Sequence, residues 1–132
     1  MDLTTLPDGD LAALTRALHE ARFPYLESDQ VVWLAPFVVA LHCAAVEEAR
    51  NRATARRNER AVRNLDAWLR WDGHDHERAV VVRRFREDAK LRELLDVRGA
   101  GFLREVVRPF VLTDDDVHHL VRLIEIPADR SS

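Results

Sequence analysis

The sequence predicts an all-α fold, a single bundle of five or six helices over residues 1–132. Glycine and proline, the residues that most often interrupt helices, number only four and five in the chain. Apolar side chains recur at intervals of three and four residues, the spacing of a helix that packs one face on a core. The valine run at 80–82 is the one stretch typical of a strand, and it has no second stretch to pair with.

The first helix is predicted over residues 10–22. Leu11, Leu14 and Leu18 share one face at helical spacing in this segment. Pro24 ends the helix, because the residue before a proline is disfavoured in the helical region.

A long segment at 37–71 contains neither glycine nor proline, so nothing obvious interrupts a helix there. Its apolar face nevertheless changes direction. At 100° per residue, the face that carries Val38 and Leu41 is rotated by roughly 90° or more from the face that carries Leu65. Either the helix breaks near residues 51–54, or its two halves face different neighbours.

Three further helices are predicted in the second half of the chain. A turn containing glycine precedes a helix at 77–95, and a second such turn precedes a short helix at 102–110 that Pro109 limits. Thr113 is followed by three aspartates, which is typical of an N-cap with acid in the first turn of a helix. The last helix is therefore expected at 114–126.

The cysteine content and the apolar segments favour a cytoplasmic protein. Cys43 is the single cysteine, so no internal disulfide can form. The acidic start MDLTTLPDGD does not resemble a signal peptide. The longest apolar stretch, VVWLAPFVVAL at 31–41, is shorter than the roughly 20 residues of a membrane span. We expect it to form a core or partner-facing helix, and we expect no membrane partner.

Charge is distributed unevenly along the chain, although the net charge is only −3. Residues 1–49 hold two basic and eight acidic side chains, a net charge of −6. Residues 50–108 hold sixteen and ten, a net charge of +6, and residues 109–132 hold two and five, a net charge of −3. A basic middle between acidic ends indicates an anionic partner.

The stretch RNRATARRNERAVR at 50–63 concentrates six arginines against one glutamate. On one helix, Arg52, Arg56, Arg60 and Arg63 would form a row about 16 Å long, away from the apolar face. Guanidinium groups at this pitch can follow successive phosphates with charge-assisted hydrogen bonds. The alternative is a solvated face of salt bridges at acid-first spacing: Glu48–Arg52, Glu59–Arg63 and Asp66–Arg70.

A second basic group, Arg83, Arg86 and Lys90, is expected on one side of the following helix. Trp68 and Trp71 follow the arginine row in the sequence. They could stack on bases, as aromatic side chains do beside basic grooves, or close one end of the core.

Two stretches have the residue types of a catalytic or metal site. The turn between the helices is rich in possible ligands: Asp72, His74, Asp75, His76 and Glu77. Because no second cluster with matching spacing exists, we expect a capped polar turn and no bound metal. Arg70 and His76 loosely match the Arg-x4–6-His pattern of HEPN-type helical ribonucleases, in which the histidine would transfer protons.

Three stretches resemble one known family. VVALH at 38–42, VVRRF at 81–85, and FLREVVRPF with DDDVHHLVRLIE after it are similar to segments of the small helical subunit of Cascade-type CRISPR effector complexes. The resemblance implies an all-helical subunit that supports guide RNA and displaced DNA through basic patches, in antiviral defence. It also implies nucleic-acid contacts at Arg83, Arg84 and Arg104.

The leading hypothesis is a non-enzymatic nucleic-acid-binding subunit of a larger assembly, with no cofactor and no catalytic residue. The first alternative is a protein–protein adaptor or a self-associating helical protein, in which the acidic N-terminal third of one copy pairs with the basic middle of another. The second alternative is a HEPN-like ribonuclease. The sequence does not choose between RNA and DNA.

Overall fold

The computed structural model describes residues 2–24 and 34–126. Within these residues the chain forms seven α-helices, one short 3-10 helix at Leu3–Thr5 and no strand, apart from an isolated bridge between Arg70 and Val111. The all-α prediction is confirmed, and the helices number seven in the described part instead of five or six. None of them has the length and apolarity that crossing a membrane requires. The seven helices are α1 (Asp8–Arg22), α2 (Pro36–Ala55), α3 (Glu59–Trp68), α4 (Asp75–Glu87), α5 (Ala89–Arg98), α6 (Ala100–Val106) and α7 (Asp114–Glu125).

The helices belong to two compact units, Met1–Leu69 and Arg70–Ser132. The first unit contains α1, α2 and α3, and the second contains α4 to α7. Each unit has buried apolar side chains of its own.

The first unit is built by packing α1 against α2. Leu3, Leu11 and Ala45 are buried together at this contact. Partly buried side chains pack around them, among them the predicted face residues Leu14, Leu18 and Leu41. Helix α1 begins at Asp8, two residues before the predicted start, because Asp8 and Asp10 both suit the positive N-terminal end of a helix dipole. It ends at Arg22, as predicted.

The helix expected at 37–71 is broken at Arg56–Asn58, slightly after the predicted position. Arg57 adopts a left-handed conformation with φ of 54°, which ends α2. The Asn58 side chain then accepts a hydrogen bond from the Ala61 N–H at 3.1 Å and caps α3. The rotation of the apolar face is therefore explained by two helices in place of one. Residues 31–33 of the apolar stretch lie outside the described residues.

The second unit contains a further helix break that was not predicted from the sequence. The helix expected at 77–95 is divided at Asp88, whose extended backbone ends α4. The Asp88 carboxylate accepts a hydrogen bond from the Lys90 N–H at 2.9 Å and so caps α5. Aspartate at this position satisfies a backbone donor that the start of a helix leaves unpaired.

Helices α4, α6 and α7 bury most of the apolar side chains in the second unit. Val81, Phe85, Leu103 and Leu120 are fully buried, so the valine run belongs to a helix core. The predicted cap of the last helix is confirmed as a capping box. The Thr113 hydroxyl accepts from the Asp116 N–H at 3.1 Å, and the Asp116 carboxylate accepts from the Thr113 N–H at 2.9 Å. The expected helix end at Ile126 becomes Glu125.

Candidate functional site

Two arginines of the predicted row are joined to the N-terminal segment of their own unit. Arg52 donates to the Asp8 carboxylate at 2.9 Å, to the Leu3 carbonyl at 3.0 Å and to the Glu48 carboxylate at 3.2 Å. Arg56 donates twice to Asp8, at 2.8 and 3.1 Å. The Arg52 side chain is only 15% exposed, whereas that of Arg56 is 60% exposed. Arg52 thus stabilises the fold of the first unit and is removed from the candidate contact surface.

The Arg56–Asn58 break also separates the row into two parts. Arg52 lies on α2 and Arg56 caps its end, while Arg60 and Arg63 lie on α3. The prediction of a straight row of four arginines on one helix is therefore wrong. The cause is the left-handed backbone at Arg57, which stops α2 before the row is complete.

The exposed arginines near the break form a smaller basic surface. We call Arg57, Arg60 and Arg63 the α2–α3 corner. All three side chains are exposed, and within the described residues Arg57 and Arg60 form no ion pair. Arg63 lies 3.9 Å from the Glu59 carboxylate, a loose contact between two mostly exposed groups. The corner therefore has three positive charges and one weakly engaged acidic neighbour.

A shallow cavity of about 520 Å³ lies at the corner and is lined by Arg57, Asn58, Arg63 and Arg50, among others. Arg50 is fixed there by a two-pronged contact with Asp66, at 2.9 and 3.2 Å. The hydrogen bond with Arg50 lowers the pKa of Asp66, and the reciprocal contact raises the pKa of Arg50. Asp66 therefore pairs across the α2–α3 turn, not with Arg70 as its sequence spacing predicted.

The second basic group is divided between two helices. Arg83 and Arg86 lie on α4 and line a larger cavity, whereas Lys90 lies on α5 beyond the break at Asp88. The three side chains were expected on one continuous helix, and the Asp88 cap prevents it.

Two arginines that the family resemblance singled out are engaged in the fold. Arg84 is 4% exposed, so the side chain lies inside the protein and is removed from the candidate contact surface. Arg104 donates to the Leu112 carbonyl at 2.5 Å and to the Asp114 carboxylate at 2.7 Å. These contacts join α6 to the start of α7, so Arg104 has a structural role that its sequence position did not show.

The two tryptophans have different surroundings. Trp71 is 2% exposed and packs edge-on against Phe110 at 5.8 Å between ring centroids, which agrees with the core interpretation. Trp68 is half-buried and packs against the His19 ring at 5.6 Å. Stacking on bases is therefore excluded for Trp71 in this conformation.

The turn before α4 is organised by packing and ion pairs. The His74 ring lies against Phe110 at 4.4 Å between centroids, and His74 Nδ1 lies 3.4 Å from the Glu77 carboxylate. Across residues 2–24 and 34–126, no three His, Cys, Asp or Glu side chains converge on a possible metal position. Arg70 precedes α4 and His76 belongs to its first turn, so no single helix carries the HEPN-like pair.

The first unit contains a buried polar pair that was not predicted from the sequence. Arg22 and His42 are both 0% exposed, and Arg22 Nη1 donates a hydrogen bond to His42 Nδ1 at 2.9 Å between the two nitrogens. Burial, together with the positive charge of Arg22, lowers the pKa of His42 to about 3, and burial lowers the pKa of Arg22 to about 10. Arg22 lies eleven residues after Leu11 on the same helical face, so the spacing could have placed it in the core.

No protein family, no curated protein and no solved structure gives a significant match to this chain. The function is therefore inferred from the geometry of the two units.

Proposed function

We propose that the chain is a non-enzymatic nucleic-acid-binding subunit of a larger assembly and that the α2–α3 corner contacts phosphates. The observation that supports this is a contrast in pairing. Several exposed or half-exposed arginines elsewhere in the described residues lie against carboxylates, as in Arg16–Glu20, Arg78–Asp75 and Arg98–Glu105. At the corner, Arg57 and Arg60 have no such partner in the described residues.

Three guanidinium groups without firm acidic partners suit a polyanion. A guanidinium can donate two parallel hydrogen bonds to one phosphate, and each contact also releases a condensed counterion. The positive charge of these three groups is local, because the whole chain has a net charge of −3. Binding would therefore depend on the corner and not on the overall field of the protein.

The all-helical fold agrees with what the resemblance to the small Cascade-type subunit implies. That resemblance supports the proposed class of partner, guide RNA or displaced DNA. Its specific contact residues need revision, because Arg84 is buried and Arg104 holds Asp114.

Fluorescence anisotropy with a labelled single-stranded 20-mer of RNA or DNA at 50 mM salt tests the proposal. A triple variant that changes Arg57, Arg60 and Arg63 to glutamine should lower the affinity at least about tenfold, because each charge-assisted contact contributes roughly 1.5–3 kcal/mol. Circular dichroism should show unchanged helix content, since all three side chains are exposed.

The matched control changes Arg16, Arg98 and Arg122 to glutamine. It removes the same number of positive charges from exposed positions outside the corner. Its affinity should stay within about twofold of that of the unmodified chain, since none of its three arginines belongs to the corner. Equal losses in both variants, or no binding by the unmodified chain, would contradict the proposal.

A second candidate function, the protein–protein adaptor, is favoured by one observation. Leu94 and Val97 are three residues apart on α5 and therefore lie on the same face of the helix. Their exposed fractions are 41% and 78%. Light scattering after chromatography tests self-association through this pair. Leu94→Glu should convert an oligomer into a monomer, and a chain that is already monomeric would contradict self-association.

A further inference from the structure

The second unit contains a cavity of about 880 Å³ that the proposed function does not use. It lies among α4, α5 and the end of α7, and its volume is within the range of about 300–1,000 Å³ that is typical of small-molecule sites. Four arginines contribute to the lining: Arg78, Arg83, Arg86 and Arg92.

Two of these arginines are held in place. Arg92 donates to the Phe85 carbonyl at 3.1 Å and also to the Arg86 carbonyl, so it caps the C-terminal end of α4. Arg78 donates to the Asp75 carboxylate at 2.6 Å. Fixed guanidinium groups lose little conformational entropy when a ligand binds.

The other two lie one helical turn apart on α4. Arg83 and Arg86 are half-buried, and neither forms an ion pair with a described residue. A partly buried charge is less screened by water than an exposed one, so its attraction for an anion is stronger. The geometry of the guanidinium suits the oxygens of a phosphate.

Another part of the lining is apolar. Val82 of α4, together with Leu123, Ile124 and Ile126 at the end of α7, contributes branched aliphatic surface. Ile124 is buried and the others are half-buried, so these side chains can cover one face of a flat ring. A ligand that matches both parts has an anionic end and an apolar ring.

Three exposed carboxylates also line the cavity: Asp75, which is paired with Arg78, and Glu87 and Glu125. They would repel the successive phosphates of a nucleic-acid strand, but they can accept hydrogen bonds from ligand hydroxyl groups. The mixed lining therefore favours a small ligand with a mono- or diphosphate group and a sugar over a polyanion.

We propose that this cavity binds a nucleoside phosphate, with Arg83 and Arg86 on the phosphate and the aliphatic wall against the base. The site is independent of the α2–α3 corner, because none of its residues belongs to the first unit.

Isothermal titration calorimetry with ADP on the full chain tests this proposal. ADP should bind with a dissociation constant below about 1 mM, while adenosine and inorganic phosphate should each bind at least about tenfold more weakly. No heat of binding with ADP up to about 5 mM would overturn the proposal. Equal affinity for ADP and inorganic phosphate would overturn it too, because the aliphatic wall would then contribute nothing.

The variants Arg83→Gln and Arg86→Gln should each weaken ADP binding about tenfold or more. Two controls, Arg122→Gln on α7 and Arg16→Gln in the first unit, should leave ADP binding unchanged, since neither residue lines the cavity or belongs to the α2–α3 corner. A double Arg83→Gln, Arg86→Gln variant that melts normally and binds ADP as the unmodified chain does would contradict the assignment. The same variant should still bind nucleic acid through the corner, so failure of either proposal can be recognised separately.

Discussion

Asp8 is the acidic partner that two arginines of the basic stretch share. Its carboxylate accepts hydrogen bonds from Arg56 and Arg52, and these bonds lower the pKa of Asp8. The carboxylate therefore occupies guanidinium groups that a phosphate could otherwise use. Arg52 has further partners and is 15% exposed, but Arg56 is 60% exposed and its side chain pairs with Asp8.

Removing the Asp8 charge should strengthen nucleic-acid binding. With Asp8→Asn, Arg56 becomes available beside the α2–α3 corner, and we expect the affinity for a single-stranded 20-mer to rise about two- to fivefold at 50 mM salt. Asp10→Asn is the matched control, because Asp10 is an exposed acid in the same first turn and forms no ion pair in the described residues. An equal rise with both variants would show that only net charge had changed.

His42 is a buried neutral base in the first unit, and its pKa of about 3 gives stability a pH dependence. The unfolded chain protonates this histidine below pH 6.5, its ordinary pKa, whereas the folded chain does not until about pH 3. The unfolded state therefore binds more protons in this window, so the stability from His42 is complete above pH 6.5 and is lost as the pH falls.

The loss should approach about 1.4 kcal/mol for each pH unit below 6. Urea denaturation at pH 7, 6 and 5 measures it. His42→Gln should remove this part of the pH dependence, while His118→Gln, at an exposed position, should retain it. An NMR titration in which the His42 ring changes protonation near pH 6.5 would contradict the argument.

At the scale of the elements, the helix boundaries that depend on local chemistry were predictable. Thr113 with its aspartates predicted the capping box of α7, and Pro24 predicted the end of α1. The Asp88 cap was missed because apolar spacing continues through it, and a single aspartate is also common within an exposed helix. Arg57 was missed because nothing in an arginine-rich sequence marks a left-handed residue, which is usually glycine or asparagine.

The same reasoning explains what was predictable of the candidate site. The sequence showed which residues were basic, and the Glu48–Arg52 pair has a local spacing. The other partners of Arg52, and those of Arg56 and Arg104, are 8 to 49 residues away and are brought close only by folding. The buried position of Arg84 likewise depends on how α4 packs. Such contacts have no local sequence signature. Only the structure could therefore show that the available basic surface is the α2–α3 corner and not the predicted row of four arginines.

Arg57, the residue with a left-handed backbone, allows the effects of a substitution on protein stability and on nucleic-acid binding to be measured separately. A non-glycine residue in this conformation carries a strain of roughly 1–2 kcal/mol, partly offset by the greater freedom of glycine in the unfolded chain. Arg57→Gly should therefore raise the free energy of unfolding by up to about 1 kcal/mol and yet weaken nucleic-acid binding about tenfold or more. Thermal melting and anisotropy measure the two effects.

A control for that experiment is Arg60→Gly, which places glycine inside α3. It should weaken binding similarly but lower stability by about 1 kcal/mol. If Arg57→Gly destabilises the protein as Arg60→Gly does, the backbone at position 57 is not strained.

At the scale of the whole molecule, some of the acidic side chains in the N-terminal third form ion pairs with the basic middle of the same chain. The acidic N-terminal third and the basic middle were expected to pair between copies in one alternative. Instead, Asp8 and Glu48 already pair with Arg52 and Arg56 inside the first unit. This reduces the charge available for a head-to-tail contact and leaves the corner as the less compensated part of the basic stretch.

The remaining charge sets the expected salt dependence of nucleic-acid binding. Each phosphate contact on a single strand contributes about −0.7 to the slope of log K against log salt concentration. Three contacts at Arg57, Arg60 and Arg63 predict a slope of about −2, measured by anisotropy between about 50 and 200 mM salt. Changing Arg60 alone to glutamine should make the slope less steep by about 0.7, and Asp8→Asn should steepen it by the same amount as Arg56 joins the contact. A slope near zero would mean that the arginines do not contact phosphates. A slope steeper than about −4 would require more contacts than the corner provides, and a second basic surface would then have to take part.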